Sequence, residues 1–238
     1  MNKKSLFKQS FQLKESDCTI ISDTKEGITT AKNSIEHHRK LLEEYVKTHP
    51  QFLFSFEPLS VTRADAPDVA QLMSEASKKA NVGPMAAVAG VLADLAVKDM
   101  LASGCKVAVV ENGGELYAFS DQPIDIGFAA GEEPLSKKMG FRLTIFPVGV
   151  ATSSGLYSHA FSFGDAAAVT IFAVDAGLAD AAATAVANTV TGDDVQAVLK
   201  KAVDMALRIE GVYGVFILYR GIVGKGGQIP EIIKTNQE

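Results

Sequence analysis

A chain of 238 residues, 47% of them hydrophobic, can bury a substantial core, and its formal charge of −5 includes no basic block to attract a nucleic-acid backbone or an anionic membrane surface. No apolar run is long enough to span a bilayer, and the polar start Met1-Asn2-Lys3-Lys4-Ser5 is unlike a signal peptide, so a cytoplasmic protein is expected. The two cysteines, Cys18 and Cys105, lack CxxC spacing, which argues for reduced thiols and against a disulfide framework or a zinc cage.

Residues 7–13 and 18–22 have strand composition and are joined by the polar Lys14-Glu15-Ser16-Asp17, a plausible hairpin connection. Over residues 27–48, Ile28, Ala31, Ile35, Leu42 and Tyr45 recur at helical spacing, while Lys32, Glu36, Arg39, Lys40, Glu43 and Glu44 largely occupy other faces. The adjacent His37 and His38 point in different directions on such a helix and make a poor metal pair. Residues 52–56 (Phe-Leu-Phe-Ser-Phe) read as extended, with alternate residues facing one side and Pro58 marking the end. Pro67 opens a short helix faced by Val69, Leu72, Met73 and Ala76. Before and at its start, Arg63, Asp65 and Asp68 read as solvated residues, with Arg63 able to reach a phosphate if its loop folds over a cleft.

Pro84 then opens a small-residue helix, buried through Val88, Val91, Leu92 and Leu95, exposed through Asp94, Lys98 and Asp99, and stopped at Gly104. Residues 107–110 form a near-continuous apolar run, hence a strand covered on both sides. Glu111-Asn112-Gly113-Gly114-Glu115 follows, leading into a second strand at 116–119. Its paired glycines fit a tight hairpin turn, and they equally fit a ligand loop whose backbone N–H groups touch a phosphate or a planar ring. Residues 124–128 and 141–146 read as strands around a charged loop with Glu132, Glu133, Lys137 and Lys138. The strand before Gly155 ends in three hydroxyls, Thr152, Ser153 and Ser154, suited to phosphate or carbonyl oxygens and also compatible with an ordinary turn.

A buried strand at 169–174 delivers the chain to Asp175 and an alanine-rich helix that ends by Gly192. Within it Asp180 and Thr184, four residues apart, lie one above the other among alanines. Such an oxygen pair suits Mg²⁺, and the same residues suit a tightly packed helix with a favourable charge in its first turn. Asp193 is expected to cap a last amphipathic helix with Val195, Val198, Leu199, Ala202, Val203, Ala206 and Leu207 inward. Strands at 215–219 and 221–224 complete the sheet, and the tail from Thr235 should fray.

Five pieces stand here in one order: a small-residue helix (84–104), a strand ending in Asn-Gly-Gly-acid (107–115), a hydroxyl loop (150–155), a Val-rich strand (168–174) and an Ala-Asp-Ala-Ala-Ala-Thr-Ala-Val helix (179–186). Together they resemble the ApbE-like superfamily, whose characterised members are FAD:protein FMN transferases. The motifs cover about residues 80–192, and the whole chain is similar to an uncharacterised soluble branch linked in some members to sulfide assimilation and homocysteine synthesis. The resemblance implies a single ApbE-like domain over residues 1–238, of mixed α/β (α+β) class, with a mixed sheet packed by helices. It implies Mg²⁺ on Asp180 and Thr184, and a flavin nucleotide held by Asn112, Gly113, Gly114, Thr152 and Ser153, with Glu115 standing where the loop usually carries Asp.

The transferases also carry Gly-Gly-x-Ala-Lys-Gly at the head of the first motif's helix, whereas residues 82–87 (Val-Gly-Pro-Met-Ala-Ala) hold no lysine. Their His-x-x-Asp-Pro-Arg-Thr-Gly segment is replaced by residues 156–165, which retain His159 but no arginine. Each lost cation removes charge-assisted hydrogen bonds of about 1.5–3 kcal/mol to a diphosphate, which argues against efficient FMN transfer. Two functional classes stay open. One is a Mg²⁺-dependent binder of a nucleotide or other phosphorylated small molecule, with His159 available as acid or base. The other is a sulfur-handling or scaffold partner of a sulfur-metabolism protein, with Cys105 as the functional atom near the glycine loop. Self-association into a homo-oligomer is left open.

Overall fold

The computed structural model describes residues 6–62, 64–128, 130–131, 136, 138–154 and 164–235. Strands β1 (Phe7–Leu13) and β2 (Ser16–Ser22) pair as a hairpin whose turn uses Lys14 at φ 53°. Helix α1 (Lys25–Thr48) is capped by the Thr24 hydroxyl, which accepts the Gly27 N–H, and it buries the expected Ile28, Ala31, Ile35, Leu42 and Tyr45. Helix α2 (Pro50–Phe54) replaces the expected extended stretch. Pro50 sits at the first helical position, and Phe52 turns in against Tyr45, with ring centroids 5.4 Å apart. Alternation would have buried Phe54 and Phe56 with it; both are about as exposed as a loop residue, at 72% and 70%.

Helix α3 (Asp68–Ala80) follows Pro67 as expected and stops at Asn81, which adopts the left-handed conformation. A 3-10 turn (Pro84–Ala87) then leads into α4 (Val88–Ala102), and Gly104 takes φ 94° beyond its end. The remaining elements are β3 (Ala108–Asn112), β4 (Glu115–Phe119), β5 (Ile124–Gly127), β6 (Met139–Leu143), β7 (Val148–Ser153), β8 (Ala168–Ala173), α5 (Ala176–Ala187), α6 (Val195–Ala206), β9 (Val212–Tyr219), β10 (Ile222–Gly227) and β11 (Glu231–Lys234). Asp194, one residue later than expected, caps α6 by accepting the Ala197 N–H. Thr235 does not fray, since its N–H donates to the Lys138 carbonyl at 3.1 Å.

The main sheet runs β1-β2-β3-β4-β7-β8-β9-β10, and a small sheet runs β11-β6-β5. The N-terminal hairpin thus joins the glycine-loop strands through β2 and β3, as expected. The α/β class stands, but every strand pair described is antiparallel, so the sheets are not mixed. Short turns enforce this for β1–β2, β3–β4 and β9–β10, because a parallel pair needs a long crossover, whereas β2–β3 and β8–β9 are antiparallel across intervening helices.

Side-chain alternation sorts the layers. Val169, Ile171 and Ala173 of β8 pack with α3, α5 and α6, while Ala168 and Phe172 face the small sheet. On that second face Phe128, Phe141, Phe172 and Phe216 meet edge to face, with centroids 5.0–6.2 Å apart. On the first face α4 and α5 touch closely: a Cβ on Gly90 would fall 2.2 Å from the Ala176 carbonyl oxygen, and one on Gly177 would fall 2.5 Å from a Val91 methyl. Asp94, expected on the exposed face of α4, instead turns toward α5, and its carboxylate accepts the N–H groups of Ala176 and Gly177. The unmet donors of a helix start outcompete solvent for this carboxylate. Among the described residues no single helix is long and apolar enough to cross a membrane.

Candidate binding cleft

The hairpin between β3 and β4 has a two-residue turn, Gly113 at φ 72° and Gly114 at φ 115°, both left-handed values that a side chain would strain. Of the two readings of these glycines, the tight turn is the one built, and its N–H groups are already engaged. Gly113 donates to the Asp17 carbonyl at 2.9 Å and Gly114 to the Glu111 carboxylate at 2.7 Å. The flanking pair, Asn112 and Glu115, faces the helical layer. Asn112 is buried and clamped: the Cys18 thiol donates to its Oδ1 (3.3 Å), and its Nδ2 donates to the Ala89 carbonyl (3.2 Å). The amide therefore ties the hairpin to the start of α4.

Helix α5 brings Asp180 and Thr184 to the same place. Asp175 caps its N-terminus, accepting the Leu178 N–H, and a run of buried alanines lets it lie close against β7 and α4. Asp180 Oδ2 accepts the Gly90 N–H at 3.1 Å, one of the donors that the first turn of α4 leaves unpaired. Burial raises the Asp180 carboxyl above the ordinary carboxylate range, against the pull of the Gly90 and Ala89 N–H groups. Glu115 is raised as well, by burial first and by the charge of Asp180 next.

These residues border one cavity of about 500 Å³. Asn112, Gly113, Gly114, Glu115, Thr152, Ser153, Asp180 and Thr184 all line it, so the structure gathers every described residue that the resemblance pointed to. Met85, Ala86, Val88, Ala89 and Leu92 form an apolar wall, and Glu15, Ser16 and Arg39 close the end toward the N-terminal hairpin. Thr152 belongs to two surroundings: its hydroxyl lies 2.9 Å from that of Thr170, and with Gly114 it also borders a second cavity, of about 420 Å³, on the small-sheet side. His159 and Arg63 lie outside the described residues.

The donor set fits a hard divalent cation. Two carboxylates and a hydroxyl face a cavity, each carboxylate raising the other's cost of ionisation, and a cation between them would relieve both. No group of three or more His, Cys, Asp or Glu side chains disposed for a metal occurs among the described residues, so water or ligand oxygens would complete the shell. Cys105 is not part of this site. It lies beyond the opposite end of β3 from the glycine turn, nearly buried under the start of α1, with the hydroxyls of Ser22 and Thr24 3.5 Å from its sulfur. The expectation that it stands near the glycine loop fails because the length of a whole strand separates the two.

Sequence reasoning missed the Glu15-Ser16-Arg39 end. Arg39 looked like one charge among many on the outer faces of α1, and only the pairing of β2 with β3 brings it beside the glycine turn.

A family model described as AbpE bacteria matches residues 1–210. The UPF0280 protein of Methanococcus vannielii is 38% identical over 237 residues, which is 98% of this chain and 95% of the relative. That of Methanocaldococcus jannaschii is 37% identical over 235 residues, 97% of this chain and 95% of the relative. Among solved structures, the apo flavinyl transferase ApbE of Pseudomonas stutzeri superposes with a TM-score of 0.55 at 18% identity, covering 99% of this chain and 97% of that one. The flavin transferase ApbE of Vibrio cholerae gives 0.52 at 11% identity, with 98% and 97% covered. At such identities the likeness extends to the fold alone.

Proposed function

Because the chain belongs to the AbpE bacteria family, we propose that its cleft binds a nucleotide or other phosphorylated small molecule together with Mg²⁺, a flavin nucleotide being the form that the family resemblance favours. The observation that carries this reading is the placement of the Asp180 and Glu115 carboxylates with Thr184 on one cavity, Asp180 accepting the Gly90 N–H. Asp180, Glu115 and Thr184 are the groups that would hold the ion. Bound there, Mg²⁺ would neutralise phosphate charge, which two carboxylates alone would repel. The glycine turn keeps side chains out of the cleft mouth, and the Thr152 and Ser153 hydroxyls are available to ligand oxygens.

Efficient FMN transfer is not part of the proposal. The lysine at the head of the α4 region and the Asp-Pro-Arg-Thr-Gly segment are both absent. His159 is the remaining candidate acid or base, and its replacement by Gln would show whether any turnover depends on it. A sulfur-handling role gains nothing from the cleft, since neither cysteine lines it.

The test is calorimetric titration of the purified protein with FMN, FAD and ADP, each with and without Mg²⁺, alongside mass spectrometry of whatever small molecules the fresh protein releases. Binding that requires Mg²⁺ and disappears in Asp180→Ala is the expected result. No binding of any phosphorylated compound, or equal binding by Asp180→Ala, would overturn the reading. Incubation with FAD, Mg²⁺ and an acceptor protein should leave the acceptor unmodified.

A further inference from the structure

Arg39, from the middle of α1, is the only cationic side chain among the described residues that line the cleft. Its side chain is just 15% exposed. Nη1 donates to the Ser16 hydroxyl at 2.7 Å, Nη2 meets the Glu15 carboxylate and lies 3.9 Å from Glu43, and the Nε–H is buried with no acceptor among the described residues. An idle buried donor on an arginine is uncommon, because guanidinium N–H groups are strong and the environment normally satisfies them.

Glu15, the present partner, is of another kind. It is 82% exposed beside the β1–β2 turn, where a single ion pair to solvent-washed carboxylate contributes little. The contact is therefore exchangeable, while the guanidinium itself is held in place by Ser16, which is buried. The same cleft also carries Asp180 and Glu115, which repel any anion that arrives without a cation. A ligand that satisfies both the guanidinium and the carboxylates has one phosphate group at Arg39 and a second on a metal ion at Asp180 and Glu115, which describes a diphosphate.

We propose that Arg39 is the phosphate-holding residue of the cleft, its guanidinium leaving Glu15 to take the oxygens of a diphosphate whose far end is associated with Mg²⁺. The proposal rests on the Mg²⁺ and phosphorylated-ligand reading above. It assigns to α1, far away in sequence, the positive group that the head of the α4 region lacks. Arginine suits this task because its planar fork grips two oxygens at once.

Inorganic pyrophosphate at saturating Mg²⁺, titrated calorimetrically into the full chain, tests it. Arg39→Gln should weaken pyrophosphate binding by about tenfold or more, as expected for losing a hydrogen bond to a charged group, and leave Mg²⁺ affinity unchanged. Arg39→Lys should retain part of the affinity, and Glu15→Gln should bind several-fold tighter because the competing carboxylate is gone. A purely structural arginine that pins the N-terminal hairpin would lower thermal stability without these changes. Wild-type affinity in Arg39→Gln, weaker binding in Glu15→Gln, or no pyrophosphate binding by the parent would each overturn the assignment. Should Arg39→Gln fail to fold, the opposite shifts expected of Arg39→Lys and Glu15→Gln still decide the matter. Pyrophosphate binding that depends on Arg39 in a protein that takes up no Mg²⁺ would sink the metal reading and keep the arginine.

Discussion

Asp94 and Asp180 cap each other's helices: Asp94, carried by α4, accepts the Ala176 and Gly177 N–H groups at the start of α5 at 2.8 Å each, while Asp180, carried by α5, accepts the Gly90 N–H in the first turn of α4 at 3.1 Å. Each carboxylate sits one turn or so inside its own helix and against the start of the other. Gly90 and Gly177 make the approach close enough. The candidate metal residue is thus half of a structural pair, and the other half stands away from the cleft.

Asp94→Ala should destabilise the fold by about 2–3 kcal/mol, because it strips a partner from two buried N–H groups at once. Gly90→Ala should cost about 1–3 kcal/mol, since the new methyl would meet the backbone of Ala176 and not a movable side chain. Urea denaturation of both variants measures these losses. A loss under about 0.5 kcal/mol for Asp94→Ala, the range of an ordinary surface substitution, would mean that water replaces the carboxylate without penalty.

The same residue sets a pH dependence. Burial, with the Asp175 carboxylate next, pushes Asp94 up to about 8 against the pull of its two N–H partners. Between an unfolded value near 3.8 and that folded value, the native state holds a proton that the unfolded chain has released, so stability falls as pH rises across this window. The slope from this group approaches about 1.4 kcal/mol per pH unit at its steepest. Thermal melts from pH 5 to pH 9 in the absence of divalent ions should show the decline, and Asp94→Asn should make it shallower, leaving the part that the raised Asp180 and Glu115 carboxyls contribute. A parent protein whose stability rises through the window would contradict the assignment.

Much of this was legible in the sequence, and the parts that were not share a physical cause. Alternation along β2, the proline before α3, the glycine after α4 and the alanine run of α5 are local signals, and local signals survived. Asp94 and Arg39 were misread because a charge on a helix looks solvated until the helix packed against it is known. Residues 52–56 were misread because three aromatics at alternate positions suit a strand, and the proline two positions earlier suits a helix start; the helix won, at the cost of two exposed rings. Asp180, Thr184 and the glycine turn were legible as a set with Asn112, which lines the same cleft; its bonds to Cys18 and Ala89 depend on the pairing of β2 with β3 and the packing of α4, which no local signal gives.

That engagement ties up the Cys18 thiol. Cys18 is fully buried, donates to Asn112, and is pushed up to about 12, chiefly by burial, so it remains a thiol at neutral pH. Cys105 is nearly buried as well. Ellman's reagent should find neither group in the native protein within minutes and both in denaturant. Cys18→Val, which removes the donor to Asn112, should cost about 1–2 kcal/mol, whereas Cys18→Ser should cost less because its hydroxyl can still donate. Rapid native labelling of Cys105 would favour a sulfur-handling role.

Asp180→Asn separates stability from binding. Without a divalent ion, Asp180 and Glu115 face one cavity and each raises the other's cost of ionisation, while the Asn carbonyl can still accept the Gly90 N–H. The substitution should therefore raise the melting temperature of the metal-free protein by a few degrees, corresponding to about 1 kcal/mol for a chain of this size. Added Mg²⁺ should reverse the order. Mass action stabilises a protein that binds the ion by about 2.7 kcal/mol at one hundred times Kd, and a variant lacking one of two carboxylates forfeits most of that gain. Differential scanning calorimetry of the parent and Asp180→Asn, with and without Mg²⁺, shows both effects in one experiment. A variant that is less stable without Mg²⁺ would make Asp180 a cap first and foremost; equal Mg²⁺ shifts in the two proteins would remove Asp180 from the metal site.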